Sequence, residues 1–336
     1  MINRKIAVFG CKSTTIFLLE SLRKVVDIAC VVTIDSEMGI LNEVADYQDI
    51  GEYCAKNSII IYKVSRYDLK SERDEFFFKN NNFDVAFVIG WQRLIPELIL
   101  KTFSIGAFGM HGSSDDLPIG RGRSPMNWAL IERKKHFFTN IFKYDPGVDS
   151  GDILDTFVFS IRSTDTAKTM HYKNVLAMKL LINNNLERLL IGSVKLKAQK
   201  NITATFYPKR SPEDSLIDWN SDIFQIDAFI RAVTQPFNGA FSFIDRCKLI
   251  IWRASIFETD IVDFGYRKIK WGTIVEVFPS GDFLIYCKGG LLLVHSYSFK
   301  NSIKPLDRFK NDLRKRYFKL NNFGNYDLPG ITKNNE

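Results

Sequence analysis

A histidine, a carboxylate and the glycines spaced around them are the residues of this chain best suited to chemistry. His111 closes an apolar run over residues 103–110, and Asp149 sits in the turn Asp145-Pro-Gly-Val-Asp-Ser-Gly-Asp152. An imidazole changes charge nearest working pH, and a carboxylate beside it orients the ring and stabilises its protonated form. The two are candidates for a general acid/base pair. Around them stand Gly109, Gly112 and Ser113, then Leu117, Pro118, Arg121 and Arg123. Guanidinium groups match phosphate bidentately, so Arg121, Arg123 and the later Arg210 are candidates to pair with a diphosphate, with structural ion pairs as the equal alternative.

The elements that must hold this pair follow from local patterning. Residues 103–110 form a strand that spills into a polar loop. Residues 124–133 form a helix, with Ser124 as N-cap and Pro125 at the first helical position, where its missing N–H costs nothing. Residues 137–144 alternate apolar and polar as a second strand. Two polar loops thus leave the ends of two strands, the place where open α/β sheets hold ligands. Upstream, residues 5–10, 27–34, 58–64 and 83–89 read as strands, the last buried on both faces, with helices over 16–24 and 68–79. Downstream, residues 153–159 form a strand and 166–192 a long helix whose apolar side packs on the core. The expected fold is α/β, with a Rossmann-like, mostly parallel sheet.

A second domain begins near Arg210. An amphipathic helix over 223–233 precedes five short strands, 241–244, 248–254, 272–278, 281–288 and 290–298, which suggest a small β-barrel.

At 336 residues the chain exceeds what one core normally covers, so two domains are expected. Apolar residues at 46% and charged residues at 25% are ordinary for a globular protein. No apolar run reaches 18 residues and the chain opens directly into a strand, so a cytoplasmic location is expected. Five scattered cysteines form no Cys-x-x-Cys, so neither a disulfide framework nor a metal site is expected. The strand-turn-helix opening lacks both Gly-x-Gly-x-x-Gly and the P-loop pattern, which argues against nucleotide phosphate at that turn. The net charge of +8 is concentrated in residues 300–319, where eight basic residues face two acidic ones; such a run is more often a solvated face than a binding site.

His111-Gly-Ser, Leu117-Pro118, Arg121-Gly122, Pro125, Trp128 and Asp149-Ser-Gly-Asp152-Ile153 resemble the signature of the 10-formyltetrahydrofolate-dependent formyltransferases. Arg210-Ser-Pro-Glu-Asp-Ser-Leu-Ile-Asp-Trp219, Ile230-Arg-Ala-Val233, Pro236 and Gly239-Ala-Phe241 resemble the start of that family's smaller C-terminal domain. The resemblance implies a catalytic domain over 1–209, an OB-like β-barrel domain over 210–300 and a basic tail over 301–336. It implies 10-formyltetrahydrofolate as co-substrate, no metal, catalysis by His111 and Asp149, and a folate site lined by Ile89, Gly90, Trp91, Leu117, Pro118 and Asp145.

Residues 33–50 carry five acidic side chains and no Lys or Arg, where methionyl-tRNA formyltransferases usually carry a basic loop. The better match is the sugar-nucleotide N-formyltransferases, acting on a nucleotide-linked amino-dideoxy sugar of a surface-polysaccharide precursor. Methionyl-tRNA formyltransferase, a formyltetrahydrofolate hydrolase and a non-catalytic sugar-nucleotide or folate binder are the alternatives. Nucleic acid and membrane are not expected partners, and a homodimer is compatible with the C-terminal strands. Two departures stand out: Gly109 replaces the family asparagine that helps hold the formyl oxygen, and Pro118 follows His111 at the seventh position where the family has it at the fifth. A backbone N–H over 112–114, the Ser113 hydroxyl or an ordered water admitted by Gly109 are the candidate replacements.

Overall fold

Ile6–Phe9 is uninterruptedly apolar, and in the computed structural model this strand, β1, lies in the interior of a seven-stranded sheet. Residues 4–257, 269–309, 319–322 and 324–327 are described. The chain divides into two compact units, one of residues up to 121 with 138–158 and 173–204, the other of 122–137, 159–172 and 205 onward.

In the first unit the elements run β1, α1 (Ser13–Leu22), β2 (Ile28–Thr33), α2 (Ser36–Leu41), α3 (Gly51–Lys56), β3 (Ile61–Lys63), α4 (Glu72–Asn81), β4 (Val85–Val88), α5 (Glu97–Leu100) and β5 (Gly106–Ser113). The chain continues through β6 (Arg121–Gly122), α6 (Pro125–Ile131), β7 (His136–Lys143), β8 (Ile153–Ser160) and α7 (Ala167–Leu190). The sheet order is β3-β2-β1-β4-β5-β7-β8. Strands β3 to β5 are parallel throughout, and β7 runs antiparallel to β5. The 3-2-1-4 order is that of a Rossmann half, with its reversal between β1 and β4, so the expected mostly parallel sheet is present. Successive residues of β1 enter opposite cores: Ala7 and Phe9 pack with Phe78, Trp91 and Phe103 on one face, Ile6 and Val8 with Leu18, Phe87 and Leu181 on the other.

Two expectations change. The third strand is shorter than 58–64, because the chain leaves α3 with Ser58 at φ +54° before it can extend. The fourth helix starts at Glu72 rather than 68, where Ser71 caps it by accepting from Asp74 N. Asp74 is fully buried and its carboxylate accepts from Tyr62 Oη, Ser65 N, Arg66 N and Ser71 Oγ, which satisfies its charge and pins β3 to α4.

In the second unit, after β9 (Phe206–Tyr207), helix α8 (Ile223–Val233) starts at a reciprocal cap between Asp222 and Gln225 and buries Ile223, Ile226, Ile230 and Val233. The five expected strands appear as β10 (Ala240–Ile244), β11 (Cys247–Phe257), β12 (Thr273–Val277), β13 (Phe283–Cys287) and β14 (Gly290–Ser298), ordered β10-β11-β14-β13-β12 in a curled antiparallel sheet, a half-barrel. Trp219 anchors it, stacked on Phe309 with its indole N–H donated to Ser242 Oγ. Short strands β15 (Lys319–Leu320) and β16 (Tyr326–Asp327) pair further on. Most of the basic tail, including Lys310, Arg314, Lys315 and Arg316, lies outside the described residues. Among the described residues no helix is long and apolar enough to cross a membrane.

Candidate active site

The last parallel pairing of β5 is Gly109 with Val88. Met110 to Ser113 continue past the end of β4 and pair only with β7, His111 opposite Asn140. His111 is thereby carried beyond the carboxyl edge of the parallel strands, beside the crevice that the strand order opens.

Asp149 reaches it from the turn after β7. Its φ is +49°, a left-handed conformation that costs a non-glycine residue energy and is characteristic of functional turns. Two features hold it there. A side chain at Gly151 would meet the Lys143 carbonyl oxygen at 1.7 Å, so only glycine lets the turn close against the end of β7. Asp145 Oδ1 accepts from Gly147 N and Ser150 Oγ, which braces the turn from within. Asp149 Oδ2 ends 3.5 Å from His111 Nδ1, and the two side chains are 19% and 11% exposed. His111 Nε2 lies 3.1 Å from the Gly120 carbonyl oxygen. Both ring nitrogens therefore face oxygen acceptors, and only the imidazolium has a proton for each.

Two residues that the motif did not single out support the pair. Asn140, 1% exposed, donates to the His111 carbonyl and accepts from Thr156 Oγ1, joining β5 and β7 beneath the histidine. Gln199 donates to the carbonyls of Asp149 and Gly151 and accepts from Arg121 Nη2 at 2.6 Å. No local signal marks Gln199, because it lies 50 residues from the turn it holds. Replacing Gln199 by leucine preserves its bulk and removes these bonds. We expect kcat to fall about ten-fold, the equivalent of ~1.4 kcal/mol, with a melting temperature lower by about a few degrees, checked by steady-state kinetics and calorimetry.

The other sequence candidates fall as follows. Ser113 is fully buried and its hydroxyl donates to the Asp115 carbonyl, while Gly112 is buried in β5. Leu117 and Pro118 are buried in the loop that follows. Ile89 and Trp91 are buried at the end of β4, with Trp91 edge-on to Tyr67 and Phe9 and Gly90 half-exposed between them. The Trp91 indole N–H is buried and has no hydrogen-bond partner among the described residues.

Arg123 is exposed, in the second unit, where its backbone N–H meets the Tyr207 carbonyl. Arg210 is held between Trp128 and Phe229, 5.0 and 5.6 Å from the ring centres, and donates to the Asp214 carbonyl; burial lowers its pKa to about 10. It lines a cavity of about 280 Å³ with Trp128, Glu213, Asp218 and Tyr326. Ser124 stands at the expected N-cap position without capping. It sits at φ +55°, ψ +38°, makes no side-chain cap bond, and leaves Pro125 alone to start α6. Among the described residues no cluster of three His, Cys, Asp or Glu could hold a metal.

A Rossmann-like sheet that presents a histidine and a carboxylate past its strand ends, joined in sequence to a curled antiparallel domain, defines an α/β protein with a candidate acid/base site. Residues 4–179 match the formyl transferase family and residues 209–311 match the formyl transferase C-terminal domain. The chain belongs to the formyltransferase family. It is 30% identical over 275 residues, 76% of its length, to the bifunctional polymyxin resistance protein ArnA of Wigglesworthia glossinidia brevipalpis, of whose length it spans 40%. Its fold resembles the N-formyltransferase of Helicobacter canadensis solved with folinic acid and dTDP-3-aminofucose, with a TM-score of 0.65 and 17% identity over 89% of this chain and 100% of that one. It also resembles WlaRD, a sugar 3N-formyl transferase solved with dTDP and 5-N-formyl-THF, with a TM-score of 0.64 and 17% identity over 90% and 99%.

Proposed function

We propose that the chain transfers a formyl group from 10-formyltetrahydrofolate to the amine of a nucleotide-linked amino-dideoxy sugar, a surface-polysaccharide precursor. The observation that carries this reading is the His111–Asp149 contact at the carboxyl edge of the sheet in a chain of this family. The substrate class is supported by the acidic segment 33–50, which leaves the same edge after β2 and repels a nucleic-acid backbone. The solved relatives bind folates together with dTDP or a dTDP-amino sugar, which supports the same class. All five cysteines are free, in keeping with a cytoplasmic setting. We assign the chemistry to residues 1–209 and the smaller domain to 210–300.

The residues at the end of β4 fit a folate. A pterin presents ring nitrogens and a carbonyl as acceptors, and the unpartnered Trp91 N–H is a donor in the loop at the strand-order reversal. Leu117 and Pro118 would add apolar cover. When bound, the donor supplies an activated formyl carbon.

His111 takes the proton that the sugar amine loses as its lone pair bonds the formyl carbon, and returns it to the nitrogen from which that carbon departs. Asp149 orients the ring and balances the charge it gains. To receive that proton, Nε2 must exchange the Gly120 carbonyl for the amine.

The test is to incubate the chain with 10-formyltetrahydrofolate and a panel of nucleotide-linked amino sugars, and to look for products heavier by one formyl group. Formylation of charged initiator tRNA with no sugar product would overturn the substrate class. Donor hydrolysis without any formylated amine would overturn the transfer itself.

A further inference from the structure

The family asparagine that Gly109 replaces would point into the face of β5 that carries His111, since residues two apart on a strand share a face. That space is already filled. A Cβ built on Gly109 meets Tyr144 Cε2 at 1.8 Å and Cζ, the carbon bearing the hydroxyl, at 2.7 Å. Gly109 pairs with Phe142, so Tyr144, two residues on, leans across as the diagonal neighbour. Its ring stacks on Phe142 at 5.4 Å and 5°, and its backbone N–H is tied to the Ala107 carbonyl. Glycine at 109 and tyrosine at 144 are one exchange of volume between adjoining strands.

Resting on the formyl-transfer reading, we propose that the Tyr144 hydroxyl takes over the task of the missing asparagine and donates a hydrogen bond to the formyl oxygen as that oxygen gains negative charge. The tyrosine keeps its proton, while His111 moves the one that travels. Of the three candidate replacements read from the sequence, the Ser113 hydroxyl is committed to the Asp115 carbonyl. The Tyr144 hydroxyl is engaged in no hydrogen bond of the described residues, and the residue is only partly buried. Burial, and then the nearby Asp149 carboxylate, push its ionisation well above the ordinary phenol range. The group therefore remains a donor throughout the pH range in which the protein would work. The ring carbon that bears the hydroxyl lies 2.7 Å from where a Gly109 Cβ would stand, on the strand face that carries His111, and that face is where the charge develops.

Tyr144→Phe removes one oxygen and leaves the packing. We expect a fall in kcat of about 100-fold with KM for both substrates unchanged, the effect of losing one oxyanion donor. A readout independent of turnover uses a stable 10-formyl dideazafolate, isotope-labelled at the formyl carbon. Its carbonyl stretch, read by difference infrared spectroscopy in the bound state, should move to higher frequency in Tyr144→Phe than in the wild type. The pair Gly109→Asn and Tyr144→Ala, made together, restores the family arrangement and should recover at least about ten-fold over Tyr144→Ala alone. Wild-type kcat in Tyr144→Phe, a lowered kcat with an unmoved carbonyl stretch, or no recovery in a double variant that folds and binds the analogue would each overturn the proposal. Failure of the wild type to formylate any amine would instead reject the reading of function, and the infrared comparison would still report on Tyr144.

Discussion

His111→Ala is expected to abolish measurable formyl transfer, with kcat lower by about 1,000-fold or more and the fold intact. Two roles would be lost together: the base that accepts the amine proton and the acid that returns it to the departing nitrogen. The fold should survive, because the ring stands at a strand end and its removal breaks contacts only to the Gly120 carbonyl and the Asp149 carboxylate. A melting curve within a few degrees of the wild type, with retained binding of a folate analogue, is the control. Full activity in this variant would reject the mechanism.

Asp149→Asn carries the second-largest effect, on the order of 100-fold in kcat. Asparagine has nearly the same shape and tolerates the positive φ that Asp149 adopts, so the turn should keep its course against Lys143. What disappears is the charge facing His111 Nδ1 at 3.5 Å. Without it the imidazolium that forms during transfer loses its counter-charge, and the amide can present an N–H to Nδ1 that fixes the wrong tautomer. The loss should fall on kcat with KM for the formyl donor unchanged, because the interaction strengthens only as the ring becomes charged. A Tyr144→Phe/Asp149→Asn double variant should lose close to the product of the two single effects if the two groups act on different atoms. A double variant no slower than either single one would mean that Tyr144 works through Asp149.

Much of the site was legible in the order of its residues. The His111 and Asp149 motifs stand in fixed sequence, and the glycine of Asp-Ser-Gly has a local reason, the approach of its backbone to the Lys143 carbonyl. Helix α8 was readable to its ends, because its apolar spacing and its Asp222–Gln225 cap agree. The start of α6 was read at the right place, with Pro125 at the first helical position, but the expected cap bond is not made. Ser124 has the right chemistry for a cap, but its left-handed backbone turns the hydroxyl away from that task. For Arg121 the sequence left a diphosphate partner and a structural role as equal alternatives, and in the fold its guanidinium donates to Gln199, which holds the turn that carries Asp149.

By itself the sequence determined the alternation of strands and helices, the two-part organisation, the histidine and carboxylate, and the fact that an asparagine is missing. The first three are matters of periodicity, composition and spacing along the backbone, which the chain carries locally; the missing asparagine follows from the resemblance of the motif to the family. Only the tertiary structure decided what fills the place of that asparagine. Tyr144 lies 35 residues from Gly109, and it is the antiparallel register of β5 and β7 that sets its ring into the gap. Register is fixed by the summed packing of two strands against a shared core, so a compensation between them is invisible until the strands are paired.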